Sequence, residues 1–267
     1  MNAVYITSIG AYLPGKPINN ETMESYLGLI HNTPSRLKER ILKQNGIQYR
    51  HYAINAQQQT QESNSEMASK AILKALEGSP IRPEQVELLA AGTTQGDLPV
   101  PGFASMVHAR LPFKSCAVSS FQSVCASGVM ALQDAALHIR SNKTTNAVVV
   151  GSEFSSRLFK ASRFNAQHMQ SVPFDTEFLR WMLSDGAGAM VLQSKPKLQG
   201  LSLRLEWVDL RSHAHHYPVV MYTGKNNNQE ENEPTWLDYA SYEAASGAGA
   251  INLKQDVRQL DNVIKEG

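Results

Sequence analysis

The chain has 267 residues, 42% of them hydrophobic, and a formal net charge of +1. That length is enough for one large core or two small ones, and so balanced a charge excludes the basic face that a nucleic-acid binder needs. No apolar run approaches a membrane span, and the opening MNAVYITSIGAYLP lacks the basic and long apolar regions of a secretory leader, so the expectation is a cytoplasmic protein.

Short apolar runs alternate with helical patterns, which predicts α/β architecture. Residues 3–11 read as a strand closed by Pro14 and Gly15. Residues 20–45 are amphipathic and predict helix, broken around Asn32 to Pro34. Residues 63–78 predict a helix with Ser63 as cap, Glu66 completing a capping box, and Met67, Ile72, Leu73 and Leu76 on one face. Residues 86–92 read as a strand, 103–111 as a short helix, and 115–119 as a buried strand with Cys116 in the core. A helix is expected over 124–140. Residues 146–151 (NAVVVG) read as a strand covered on both faces, in the manner of a central parallel strand. Strands are expected at 188–193 and 201–210, a surface loop at 224–234, and one helix over 246–266.

The two cysteines, Cys116 and Cys125, imply neither a disulfide framework nor a zinc site. Cys125 is different from Cys116. It follows a strand and a short turn and opens a helix of small residues, Ala126, Ser127 and Gly128. A thiol there meets the positive end of a helix dipole, which favours thiolate. The same amide N–H groups would stabilise an oxyanion on an attacked thioester. A buried, inert cysteine is the plain alternative. The glycines of Ser184 to Leu192 (SDGAGAMVL) suit a tight turn into a strand. They open no helix and contain no G-K-[ST], so a phosphate loop is rejected. His213, His215 and His216 form a His-x-His-His cluster with no recognisable supporting carboxylate, and read as a solvated strand end rather than a metal site.

An ordered set of motifs resembles the ketoacyl synthase III family. Gly10-Ala11-Tyr12-Leu13-Pro14 matches its G-x-Y-L-P, and Gly46-Ile47-Gln48-Tyr49-Arg50-His51 its G-I-x-x-R-H. Thr93-Thr94, the Cys125 helix, Val150 to Glu153 and Asp185 to Ala189 follow in the family's order. The resemblance implies a thiolase-like fold, layered α-β-α-β-α, built from two similar halves. Residues 1–193 would be the first half and 194–267 the start of the second, with the end of that half lacking or supplied by another polypeptide. It implies a homodimer and an acyltransferase without cofactor or metal. Cys125 would take an acyl group from acyl-CoA or an acyl carrier protein, then condense it with a malonyl or 3-oxoacyl thioester. Such decarboxylative Claisen chemistry serves fatty-acid or polyketide-type biosynthesis, and condensing enzymes of secondary metabolism are the expected subgroup. The family's assisting His and Asn match no residue here. Arg40 and Gln44 stand where fatty-acid-initiating members clamp CoA with Trp and Arg, which disfavours acetyl-CoA priming. Val100 stands where the family caps its acyl pocket with Phe, which leaves room for a longer acyl chain. The segment 160–183 carries Phe164, Met169, Phe174, Phe178, Trp181 and Met182. Of these, Phe174, Phe178 and Trp181 are expected, with Val100, to bind the acyl chain, against the alternative of a packing surface. The competing function is a non-catalytic or half-subunit partner of a condensing enzyme. Such partners usually replace the nucleophile, which is present here.

Overall fold

The computed structural model describes residues 2–167, 171–227, 230 and 232–266. In chain order the elements are β1 (Tyr5–Tyr12), β2 (Ile18–Asn19), α1 (Met23–Leu27), α2 (Lys38–Asn45), β3 (Tyr49–Arg50), α3 (Asn64–Glu77), β4 (Leu88–Gly92), α4 (Phe103–His108) and β5 (Ala117–Phe121). There follow α5 (Ser127–Arg140), β6 (Asn146–Glu153), α6 (Ala161–Asn165), α7 (Phe174–Met182), β7 (Gly186–Gln193), β8 (Leu203–Arg204), β9 (Met221–Tyr222), α8 (Tyr242–Gly247), β10 (Lys254–Gln255) and α9 (Val257–Glu266). They form two compact units, each assembled from separate stretches of chain. The first comprises Met1–Gly15, Gln61–Phe154 and Asp185–Leu210; the second comprises Lys16–Thr60, Ser155–Ser184 and Arg211–Gly267.

The first unit is built on a mixed six-stranded sheet of order β5-β4-β6-β7-β1-β8. Strands β4, β5 and β6 run parallel, while β7 is antiparallel to both β6 and β1. Helix α5 packs on β4 and β6. Its Ala131, Ala135, Ala136 and Ile139 meet Leu88, Ala90, Ala147 and Val149 in one buried cluster. Alternation sends Leu89, Ala91, Val148 and Val150, which are also buried, to the other face. Helix α3 packs on β6, β7 and β1. A sheet covered on both faces needs apolar side chains at successive positions, and this is why VVVG reads as one continuous run.

The capping box of α3 forms as expected: the Glu66 N–H donates to Ser63 Oγ and the Ser63 N–H to the Glu66 carboxylate. That bonding, first of all, holds the Glu66 carboxyl below its ordinary value. Leu73 does not join Met67, Ile72 and Leu76 on the buried face; it is exposed, because it lies on the solvent side of the α3 stripe.

Several expectations are corrected. The strand expected at 115–119 is β5, two residues later and at the sheet edge, so its side chains are exposed or half-buried. Cys116 precedes it and is half-buried rather than in the core, and burial pushes its thiol up. Strand β6 has a parallel neighbour on one side only. Of the strand expected over 201–210, two residues pair, with Tyr5 and Ile6 of β1. The helix expected over 246–266 is two helices separated by β10. Gly249 takes a left-handed φ of 79° after α8. The buried Lys254 ammonium then donates to the carbonyls of Gly249 (2.8 Å), Lys225 (3.0 Å), Asn252 (3.1 Å) and Ala250 (3.4 Å). Carbonyls turned onto a lysine are lost to a helical ladder.

In the second unit, Arg180 and Trp181 of α7 are buried. Arg180 donates to the carbonyls of Phe159 (3.0 Å), Leu27 (3.2 Å) and Gly28 (2.5 Å), and its guanidinium lies 4.7 Å from the centre of the Trp181 ring. Burial pushes its pKa down to about 10, opposed by Glu24, Glu177 and Tyr52. Arg50 donates to the Trp181 carbonyl at 2.6 Å. One buried guanidinium thus ties α1, α7 and the loop before α6 together. No helix among the described residues is long and apolar enough to cross a membrane.

Candidate active site

The C-terminal ends of three parallel strands, β4, β5 and β6, lie side by side in the first unit. In open α/β sheets this is the edge where ligands bind. Beyond β4 come Thr93 and Thr94; beyond β5 comes a short 3-10 turn, Val124–Ala126, that runs into α5. Cys125 sits in that turn and is exposed. The helix expected from residue 124 therefore begins at Ser127, with the cysteine just ahead of its first turn. The thiol is near the positive end of a 14-residue helix, where amide N–H groups lack acceptors within the helix.

The turn is strained. Val124 has φ of 48°. For a β-branched side chain this left-handed conformation costs roughly 1–2 kcal/mol. Such outliers persist only where the surroundings over-determine them. Here the surroundings are two residues to which the sequence assigned no such role, Ser127 and Gly92. Ser127 is 2% exposed. Its Oγ accepts the Ser123 N–H at 2.8 Å and donates to the Val124 carbonyl at 2.7 Å, with the Thr93 carbonyl at 3.3 Å. Gly92, the last residue of β4, lies directly beneath. A Cβ on Gly92 would stand 2.4 Å from the carbonyl carbon and oxygen of Ser127 and 2.8 Å from the Gly128 nitrogen. The absence of that Cβ is what lets the start of α5 lie against the strand. The signal for Gly92 was in the sequence, as a glycine ending an apolar strand run (LLAAG).

Polar side chains fix the neighbouring strand ends. The Thr94 N–H and hydroxyl both donate to the Glu153 carboxylate, at 2.6 and 2.8 Å. Gln122 donates to the Thr94 carbonyl at 2.9 Å. Buried Asn64, at the start of α3, donates to Thr93 Oγ1 at 2.9 Å and accepts from the Ser152 hydroxyl at 2.6 Å. Asp97 accepts the N–H groups of Asn64 and Ser65, both at 2.9 Å. The floor around Cys125 is thus held by hydrogen bonds from four segments.

The other expected site residues lie as follows. Val100, in the first unit, is 78% exposed. Phe174, Phe178 and Trp181 lie on α7 in the second unit. The Phe174 and Phe178 rings are 6.1 Å apart and Phe174 is exposed, whereas Trp181 is 0% exposed. Phe164 is buried, and Met169 falls outside the described residues. In the first unit His108 contacts the Lys114 carbonyl and His138 pairs with Asp134 one turn away. His213, His215 and His216 lie exposed in a turn, with the His215 and His216 rings 4.0 Å apart. Among the described residues no group of His, Cys, Asp and Glu could hold a metal ion.

Comparison with known proteins fits this geometry. Residues 52–180 match the thiolase N-terminal domain. The beta-ketoacyl-[acyl-carrier-protein] synthase III of Clostridium acetobutylicum is 28% identical over 193 residues, 72% of this chain and 51% of that protein. The synthase III of Xanthomonas euvesicatoria is 27% identical over 267 residues, 98% of this chain and 70% of that protein. Among solved structures, a tetronic acid condensing enzyme superposes with a TM-score of 0.73 at 22% identity, covering 98% of this chain and 71% of that one. The 3-oxoacyl-(acyl carrier protein) synthase III of Pseudomonas aeruginosa gives a TM-score of 0.61 at 19% identity, covering 98% and 66%. The chain spans about half the length of most of the curated relatives it matches.

Proposed function

From the premise that this chain is ketoacyl synthase III-like and thiolase-folded, we propose that it is the nucleophile-bearing part of a condensing acyltransferase. The carrying observation is Cys125, exposed in a strained turn ahead of α5, at the C-terminal ends of three parallel strands. The Cys125 thiolate attacks the carbonyl of an acyl thioester, and the carrier sulfur leaves as thiolate, to be protonated by solvent, as acyl-S-Cys125 forms. A malonyl thioester then loses CO₂. Its carbanion attacks the acyl carbonyl, a C–C bond forms, and the Cys125 thiolate is released with a 3-oxoacyl thioester. Amide N–H groups near the cysteine bear on the charge that develops on the attacked oxygen.

Residues 1–193 form the first half of the thiolase-type arrangement in this reading, and 194–267 begin the second. The protein works as a homodimer in the cytoplasm. Strand β5 supports the dimer: it is a sheet edge with Val118 exposed, and a bare edge invites pairing. Val100, in the same unit as Cys125, borders the acyl chain in this reading. With no Phe at position 100, acyl groups longer than acetyl are accepted.

The test is acylation of the chain by a panel of acyl-CoA and acyl-carrier thioesters, read by intact mass, with 3-oxoacyl product and released CO₂ followed once malonyl-acyl carrier protein is added. Wild type is expected to be acylated by donors longer than acetyl, with condensation by this chain alone held back because the assisting His and Asn match no residue in it, and Cys125→Ala to lose acylation by on the order of 10⁴-fold or more. Equal acylation of Cys125→Ala would overturn the proposal. No loading from any donor would make the chain a partner subunit instead.

A further inference from the structure

We infer that Ser127 is a positioning residue, whose buried hydroxyl holds Val124 in its left-handed conformation and so sets where the Cys125 sulfur stands. The inference rests on Cys125 being the reactive thiol. Its geometric basis is independent of which thioester loads it.

The Ser127 Oγ brackets the strained residue. It takes the N–H of Ser123, the residue before Val124, at 2.8 Å, and gives its proton to the carbonyl of Val124 itself at 2.7 Å. Both contacts lie within the Ser123–Ser127 loop, so the hydroxyl closes a small ring around Val124 and Cys125. The ring is anchored from below: the Ser127 backbone lies on Gly92, and the Thr93 carbonyl is 3.3 Å from the same Oγ. At 2% exposure no bulk water can replace the hydroxyl. Removing it takes away the acceptor of the Ser123 N–H and the side-chain donor to the Val124 carbonyl, the two part-buried bonds that bracket the left-handed residue. The motion open to the chain is relaxation of Val124 toward negative φ, which its β-branched side chain favours. That rotation swings the next residue, Cys125, off its place ahead of α5. Ser127 touches no substrate in this scheme. It acts through the backbone of the residue before the thiol.

The experiment measures alkylation of Cys125 by iodoacetamide, read by intact mass and peptide mapping on the full chain, so that it does not depend on any acyl donor. Wild type, Ser127→Ala, Ser127→Thr, Val124→Gly and the Val124→Gly/Ser127→Ala double variant are compared, with circular dichroism confirming the fold. Ser127→Ala is expected to slow alkylation about tenfold, as displacement of a positioned thiol does. Ser127→Thr, which keeps the hydroxyl, restores the rate to within about threefold of wild type. In the Val124→Gly background, where a positive φ carries no steric strain, loss of the hydroxyl slows alkylation less than about threefold. If Ser127→Ala does not fold, the isosteric pair Ser127→Thr and Ser127→Val reads the same hydroxyl at constant shape. Alkylation of Ser127→Ala within about twofold of wild type overturns the inference, as does an equal loss with and without Val124. Failure of wild type to take an acyl group, with this alkylation pattern intact, sinks the proposed function and leaves the positioning role standing.

Discussion

Gly92→Ala is expected to destabilise the first unit by about 3 kcal/mol and to slow acyl transfer to Cys125 about 100-fold. The added Cβ meets backbone atoms only, at 2.4 Å from the Ser127 carbonyl and 2.8 Å from the Gly128 nitrogen. A flexible side chain could step aside, but a helix start must move as a body. The part that moves carries the ring around Val124 and the thiol ahead of it. Gly10→Ala is the matched control. Its Cβ meets the Ala71 carbonyl oxygen and the Ala75 nitrogen, both at 2.4 Å, where β1 passes beneath α3. The steric cost is similar, but α3 is the element displaced. Thermal or denaturant unfolding is therefore expected to fall comparably in both variants, with reactivity per folded molecule lost in Gly92→Ala alone. Equal reactivity in the two would show that the approach of α5 to β4 does not position the cysteine.

Arg180→Met is the second large effect, and it falls on the second unit. The guanidinium satisfies three carbonyls, those of Phe159 and Leu27 in buried bonds and that of Gly28 in a part-buried one. Methionine fills much of the volume and donates to none of them. Leaving such groups unpaired is expected to cost about 3–5 kcal/mol, measured by chemical denaturation. Arg180→Lys keeps a charge and loses the planar fork that reaches carbonyls of two segments at once, so it should recover less than half of that. A loss below about 1 kcal/mol for Arg180→Met would mean that these carbonyls find other donors.

The parts of the fold set by short-range chemistry were legible in the sequence. Ser63 and Glu66 announce the start of α3 because the capping box is complete within four residues. The run at 146–151 announces a doubly covered strand because its apolar positions are continuous. Features set by remote partners were not legible. LSLRLEWVDL alternates like a long strand, yet β8 pairs for two residues, since Tyr5 and Ile6 are its β1 partners. The C-terminal helical pattern is interrupted because Lys254 gathers four carbonyls, one of them from Lys225, far back in the chain. Cys125 could be singled out from its small-residue helix and from the order of the surrounding motifs. Ser127 stood out only as one small residue of that helix and Gly92 only as a glycine ending an apolar run; what they do for the turn was not legible. A left-handed valine and a strand-to-helix approach without a Cβ exist only once the sheet is assembled.

The central claim is that Cys125 carries the acyl group. Its most direct test is the intact mass of the purified chain after incubation with a panel of acyl-CoA and acyl-carrier thioesters, for wild type, Cys125→Ala and Cys116→Ala. The account predicts one acyl mass increment on wild type and on Cys116→Ala, and none on Cys125→Ala. An increment that persists on Cys125→Ala, or no increment on wild type with any donor, would contradict it.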